Sequence, residues 1–134
     1  MSARLLLFAA LAAAGAAAAG PYDQPWSVVT TDRRASADPL LRPVIVNRVD
    51  GVNSMDNESV VAPGKHAVTV DLPPRKGFRQ ATQVTFDLET EACMRYYVAA
   101  KLDTTVTQQW TPVLRSSEPI GECRAKFRLA GAAK

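Results

Sequence analysis

In several stretches between residues 43 and 103 apolar and polar side chains alternate with a period of two, the mark of strands with one buried face. In "KHAVTVDL" His66, Val68, Val70 and Leu72 share one face, and Lys65, Ala67, Thr69 and Asp71 the other. The same parity recurs in "TQVTFDLE", where Val84, Phe86 and Leu88 oppose Gln83, Thr85, Asp87 and Glu89. In "CMRYYVAAKLD" Met94, Tyr96, Val98, Ala100 and Leu102 oppose Cys93, Arg95, Tyr97, Ala99 and Lys101. "PVIVNRV" ends at Asp50-Gly51, a strong turn dipeptide, and the polar stretch "VNSMDNES" separates it from "VVA". Pro63-Gly64 then opens the next strand. A less regular strand is expected around Trp110 and a short one near Ile120 to Phe127.

No stretch after the first 20 residues keeps a helical period over about 11 residues, and β-branched residues with frequent turn signals predict an all-β, antiparallel sandwich of about six to seven strands. Nine prolines fit that class better than a helical bundle. Val68, Val70, Leu72, Val84, Phe86, Leu88, Tyr96 and Val98 are expected to share one core, so that Phe86→Ala would cost about 3 to 5 kcal/mol.

The N-terminus follows a different pattern. "MSARLLLFAALAAAGAAAAG" combines Arg4, an apolar run from Leu5 and a small-residue tract ending at Ala17-Ala18-Ala19, which reads as a secretory signal peptide over residues 1–19. Its apolar core is too short and alanine-diluted for a membrane span, and no second such run follows. The expected organisation is therefore a signal peptide (1–19), an extended lead-in pinned by Trp26 (20–42), one sandwich domain (43–128) and a frayed tail (129–134). The expected location is periplasmic or secreted, with no transmembrane span in the mature chain.

Sixteen Lys and Arg against thirteen Asp and Glu give a net charge of +3, too small a surplus to point to nucleic acid. Cys93 and Cys123, the two cysteines, both lie in the exported part, where thiols pair. A structural disulfide is expected, worth roughly 3 to 4 kcal/mol in the entropic account. A redox pair would more often be spaced C-x-x-C, and two ligands alone make a poor zinc site.

The order "VDG", "VAPGKHAVTV", an amphipathic strand and "YYV" resembles the small immunoglobulin-like envelope domains of the PEGA type and related exported bacterial proteins, over about residues 44 to 102. "CMRYYVAAKLD", "QQWTPVL" and "SEPIGEC" are similar to segments of proteobacterial secreted proteins with an aromatic pair after one cysteine and Glu-Pro-Ile before another. The resemblance implies a sandwich fold and carries over no catalytic residues, since one such fold hosts many functions.

Candidate chemistry is sparse. His66, the single histidine, opens a strand after a turn, so its ring is expected at the rim of the core with one nitrogen capping a nearby carbonyl. A zinc site would want three or four ligands, and no "GxSxG" elbow accompanies it. Asp50, Asp56, Glu58, Asp71, Asp87 and Glu89 are scattered through turns and polar faces, which gives no basis for paired acid and base work or a calcium loop. Asn57-Glu58-Ser59 is read as a chance glycosylation match. Tyr96, Tyr97 and Trp110 could line a ligand groove, although alternation sends the two tyrosines to opposite faces.

"PPRKGFR" places Arg75, Lys76 and Arg79 around Gly77-Phe78, a basic loop with an apolar tip and the one candidate binding loop, suited to an envelope protein or an anionic envelope polymer. The expected function is an exported, non-catalytic binding or structural module that uses no cofactor and no metal. The alternatives are an accessory subunit that pairs through a sheet edge and, less favoured, a small envelope enzyme.

Overall fold

The computed structural model describes residues 20–32, 34, 36–74, 82–106 and 109–129. Among these, nine strands and one helix follow in the order β1 (Ser27–Thr31), β2 (Leu41–Pro43), β3 (Ile45–Val49), β4 (Val52–Asn53), β5 (Ser59–Val61), β6 (Gly64–Leu72), β7 (Thr82–Thr90), β8 (Met94–Leu102), β9 (Trp110–Pro119) and α1 (Gly121–Phe127). The count exceeds the expected six to seven because β2, β4 and β5 are only two or three residues long.

Two sheets face each other. One runs β4-β3-β6-β7, antiparallel throughout. In the other, β8 pairs along its length with β9 on one side, while β1 and β2 lie end to end on the other side and β5 adds to β1. The β1–β8 pairing is parallel, an exception to the antiparallel scheme. Its source is the segment expected as an extended lead-in, of which residues 27–31 form this inner strand.

Alternation explains most of the core. Val68, Val70 and Leu72 of β6 and Val98, Ala100 and Leu102 of β8 meet Val29, Val46 and Val49 between the sheets, all nearly inaccessible to solvent. Phe86 and Leu88 pack against them half-buried, because β7 is an edge strand. Val46 and Val49 both reach the core, although three residues apart, because a bulge between Val46 and Arg48 shifts the parity of β3. The sheets are also joined by polar contacts: Trp110 Nε1 donates to Thr82 Oγ1 at 2.7 Å, and Ser27 Oγ to Thr90 Oγ1 at 2.8 Å.

A second, smaller cluster lies beside β1. Trp26, Val28, Cys93 and Cys123 are buried together there, with Val60, Ile120, Phe127 and Leu129 packed around them. The Cys93–Cys123 disulfide is formed, with Cα atoms 5.3 Å apart. It clamps a helix, not the strand expected near Ile120 to Phe127. Pro119 ends β9, Ile120 stays extended, and seven residues are too few to show a helical period in the sequence. Glu122 in the first turn and Arg124 and Lys126 in the last suit the helix dipole, and Arg128 closes the helix in the left-handed region.

Leu102→Ala, at a side chain 2% exposed, should cost about 2 to 5 kcal/mol, whereas the half-buried Phe86→Ala should cost less than its expected 3 to 5 kcal/mol. Urea midpoints of the two variants check this, and a Phe86 variant weaker than the Leu102 variant would contradict the packing described.

Candidate functional site

The candidate site is a groove of about 700 Å³ at one pole of the sandwich, walled by the β3–β4 hairpin, the turn before β5, β5 itself and the start of β6. Two tight turns shape it. Asp50 and Gly51 both have positive φ (52° and 79°), and with Val49 paired to Val52 they form the two-residue turn that an Asp-Gly pair favours. Asp56 and Asn57 repeat the device at φ 52° and 60°, inside a bridge in which Met55 and Glu58 exchange backbone hydrogen bonds.

Three large side chains on the rim are exposed: Tyr22 (49%), Val52 (70%) and Met55 (80%). Tyr22 is held edge-on against the buried Trp26, ring centroids 5.0 Å apart, and Lys126 Nζ donates to its carbonyl at 2.6 Å. Among the described residues, the charged side chains lining the groove are Asp50, Asp56, Glu58 and His66, with no Lys or Arg. Asp56 and Glu58 make no ion pair among the described residues. The groove thus sets exposed apolar surface beside the carboxylates of Asp56 and Glu58.

His66 fixes the wall. Its Nε2 lies 2.5 Å from the carbonyl oxygen of Ala62, which can only accept, so this nitrogen donates. Its Nδ1 lies 2.5 Å from Asp50 Oδ2, and the Asp50 carboxyl is held below the ordinary carboxylate range by the His66 hydrogen bond first and the Ala67 N–H second. These two contacts tie the β3–β4 turn and the end of β5 to β6. Both ring nitrogens are thus engaged within the fold, and the Asp50-His66 pair orients the groove wall. The capped carbonyl expected for His66 is present, and the carboxylate partner is additional.

Other sequence candidates lie elsewhere. Tyr96, Tyr97 and Trp110 do not line the groove. Tyr96 is buried and its hydroxyl oxygen accepts the Glu91 N–H, while the Tyr97 hydroxyl donates to Glu118 and its pKa is raised by that carboxylate. Asp71 accepts from Asn47 and Gln83 on the outer side of β6. Asp32, which the sequence did not single out, is buried at the end of β1 with its carboxyl lowered to about 2 by the Arg34 guanidinium. Among the described residues no group of three or more His, Cys, Asp or Glu side chains is placed to hold a metal ion, and no helix is long and apolar enough to cross a membrane. Arg75, Lys76, Phe78 and Arg79 lie outside the described residues.

The groove itself was missed because its acids sit on separate turns, and only the Asp56-Asn57 pair, a turn signal inside a stretch that read as merely polar, hinted at the second hairpin. No family model, curated protein or solved structure matches the chain.

The Asp50 anchor carries a pH dependence of definite sign. A carboxyl whose folded pKa lies below 3.8 contributes its full stabilisation above that value and loses it as the pH falls through the folded pKa. The melting temperature of the wild type should therefore fall more steeply than that of Asp50→Asn between about pH 5 and pH 3. Parallel slopes would show that Asp50 does not anchor the turn.

Proposed function

We propose that this chain is an exported, non-catalytic β-sandwich module of the immunoglobulin-like, PEGA-like kind, and that it works by binding a protein segment in the polar groove. The segment it suits carries a basic residue next to a large apolar one. One observation carries this reading: Tyr22, Val52 and Met55 offer exposed apolar surface flanked by Asp56 and Glu58, with no Lys or Arg among the described lining residues. Export to the periplasm or outside the cell is supported by the signal-like first 19 residues and by the Cys93–Cys123 disulfide, which suits an oxidising compartment. Binding without catalysis is supported by the double engagement of His66.

Partner pairing through a sheet edge is the second reading. β9 and β7 are the longest edge strands among the described residues. Pro112 and Pro119 deprive β9 of two N–H donors, and β7 carries Asp87 and Glu89 at exposed positions, both devices that discourage strand addition. These features make the groove the stronger candidate.

Titration calorimetry with a capped peptide alternating Arg and Phe tests the reading. Binding should weaken with added salt and fall by about tenfold or more in Glu58→Lys and in Met55→Asp. Equal affinity in both variants, with circular dichroism unchanged, would remove the groove as the site.

A further inference from the structure

The groove opens inside a hairpin whose two arms part. Asp56 and Asn57 form the turn, and Met55 and Glu58 exchange backbone hydrogen bonds across it. One step from the turn Ser54 and Ser59 stand opposite each other, their hydroxyl oxygens 2.5 Å apart. Asn53 and Val60 would be the next pair, but the ladder ends before them, because β4 pairs with β3 in one sheet and β5 with β1 in the other. We propose that an extended protein segment enters between the arms as an added strand, its main chain hydrogen-bonded to Val60 of β5 on one side and to Asn53 of β4 on the other. The inference rests on the binding role of the groove proposed above, and it specifies the conformation of the segment and the backbone groups that hold it.

Backbone parity singles out these two residues. Successive residues of a paired strand direct their N–H and C=O groups to opposite sides. Glu58 bonds to Met55, and the Ala62 carbonyl accepts from His66 Nε2, so Glu58, Val60 and Ala62 face the groove while Ser59 and Val61 face β1. Glu58 and Ala62 have their partners there, and Val60 lies between them with no strand beside it among the described residues. On the other arm the Asp50-Gly51 turn pairs Val52 with Val49, and the Ser54 N–H donates to the Asn47 carbonyl. Val52 and Ser54 are thereby directed to β3 and Asn53 away from it. Both Asn53 and Val60 line the groove.

Spacing and side-chain pattern suit one strand. Packed sheets lie about 10 Å apart and paired strands about 4.8 Å, so two edges that belong to opposite sheets leave room for a single strand between them. Val52-Asn53 and Ser59-Val60-Val61 carry no proline and no charge, whereas β9 has its prolines and β7 its acids. Val61 packs on the main core and Val60 on the cluster beside the disulfide, so a strand added to β5 also has an inner and an outer face. Successive side chains of the segment alternate between those faces, which lets a basic residue and its apolar neighbour meet different surfaces of the groove.

Residue-resolved hydrogen exchange by NMR on the exported chain, with the capped alternating Arg-Phe peptide at saturation, tests this. The amides of Val60 and Asn53 should exchange at least about tenfold more slowly, since each gains an acceptor. Two further peptides, N-methylated at every Arg or at every Phe amide, keep all side chains and charges but lose the donors to one edge or the other. Each should bind at least about tenfold more weakly than the parent peptide. Unchanged exchange at Val60 and Asn53 with the parent peptide bound, or full affinity in either methylated peptide, would overturn the added strand and leave the groove as a site held by side chains. If the parent peptide does not bind, the groove reading falls and this inference with it.

Discussion

Burial of β1 on both faces is the constraint from which the rest of the structure follows. Val29 points into the core between the sheets, while Val28 points into the cluster around the disulfide. Ser27, Val28 and Val29 are each at most 2% exposed, so the first three residues of this strand have no solvent face. Such a strand must be covered on its outer side, and the cover is the cluster of Trp26, Ile120 and Phe127 that the Cys93–Cys123 bond holds against it. The disulfide therefore does more than restrict the unfolded chain, because it keeps in place the lid over a strand that could not otherwise stay buried.

The same strand positions the groove. Among the described residues β5 pairs only with β1, to which Val60 and Val61 register through Val28 and Ser27. One wall of the groove is thus hung from the buried strand, and the opposite wall, the β3–β4 hairpin, is tied to it through His66, Asp50 and the Ala62 carbonyl. A cavity fixed from both sides presents its apolar rim and its acids without collapsing them onto each other. Preorganisation of that kind lowers the ordering cost of the binding proposed for this groove.

The legible parts of the fold are those governed by one buried face. β6, β7 and β8 show period two because each has a core side and an outer side, and Asp50-Gly51 announces its turn because both residues must take positive φ. β1 was not legible as an inner strand, since "SVVTT" is buried on both faces and pairs in parallel with a partner far along the chain. α1 hid for a different reason: at seven residues it gives no helical period, and its hold comes from a disulfide and Trp26. The groove depends on backbone turns that gather Asp50, Asp56 and Glu58 from separate positions, and no spacing rule connects acids placed that way.

The central claim is that this pole is a preformed binding site for a basic, apolar-bearing segment. A nitrogen-edited NMR titration with the capped "PPRKGFR" peptide tests it most directly. The account predicts that the amide signals of Val52, Met55, Asp56, Glu58 and His66 shift together while those of the β8–β9 pair stay still. Shifts spread over the edge of β9, or none at the groove at saturating peptide, would contradict it.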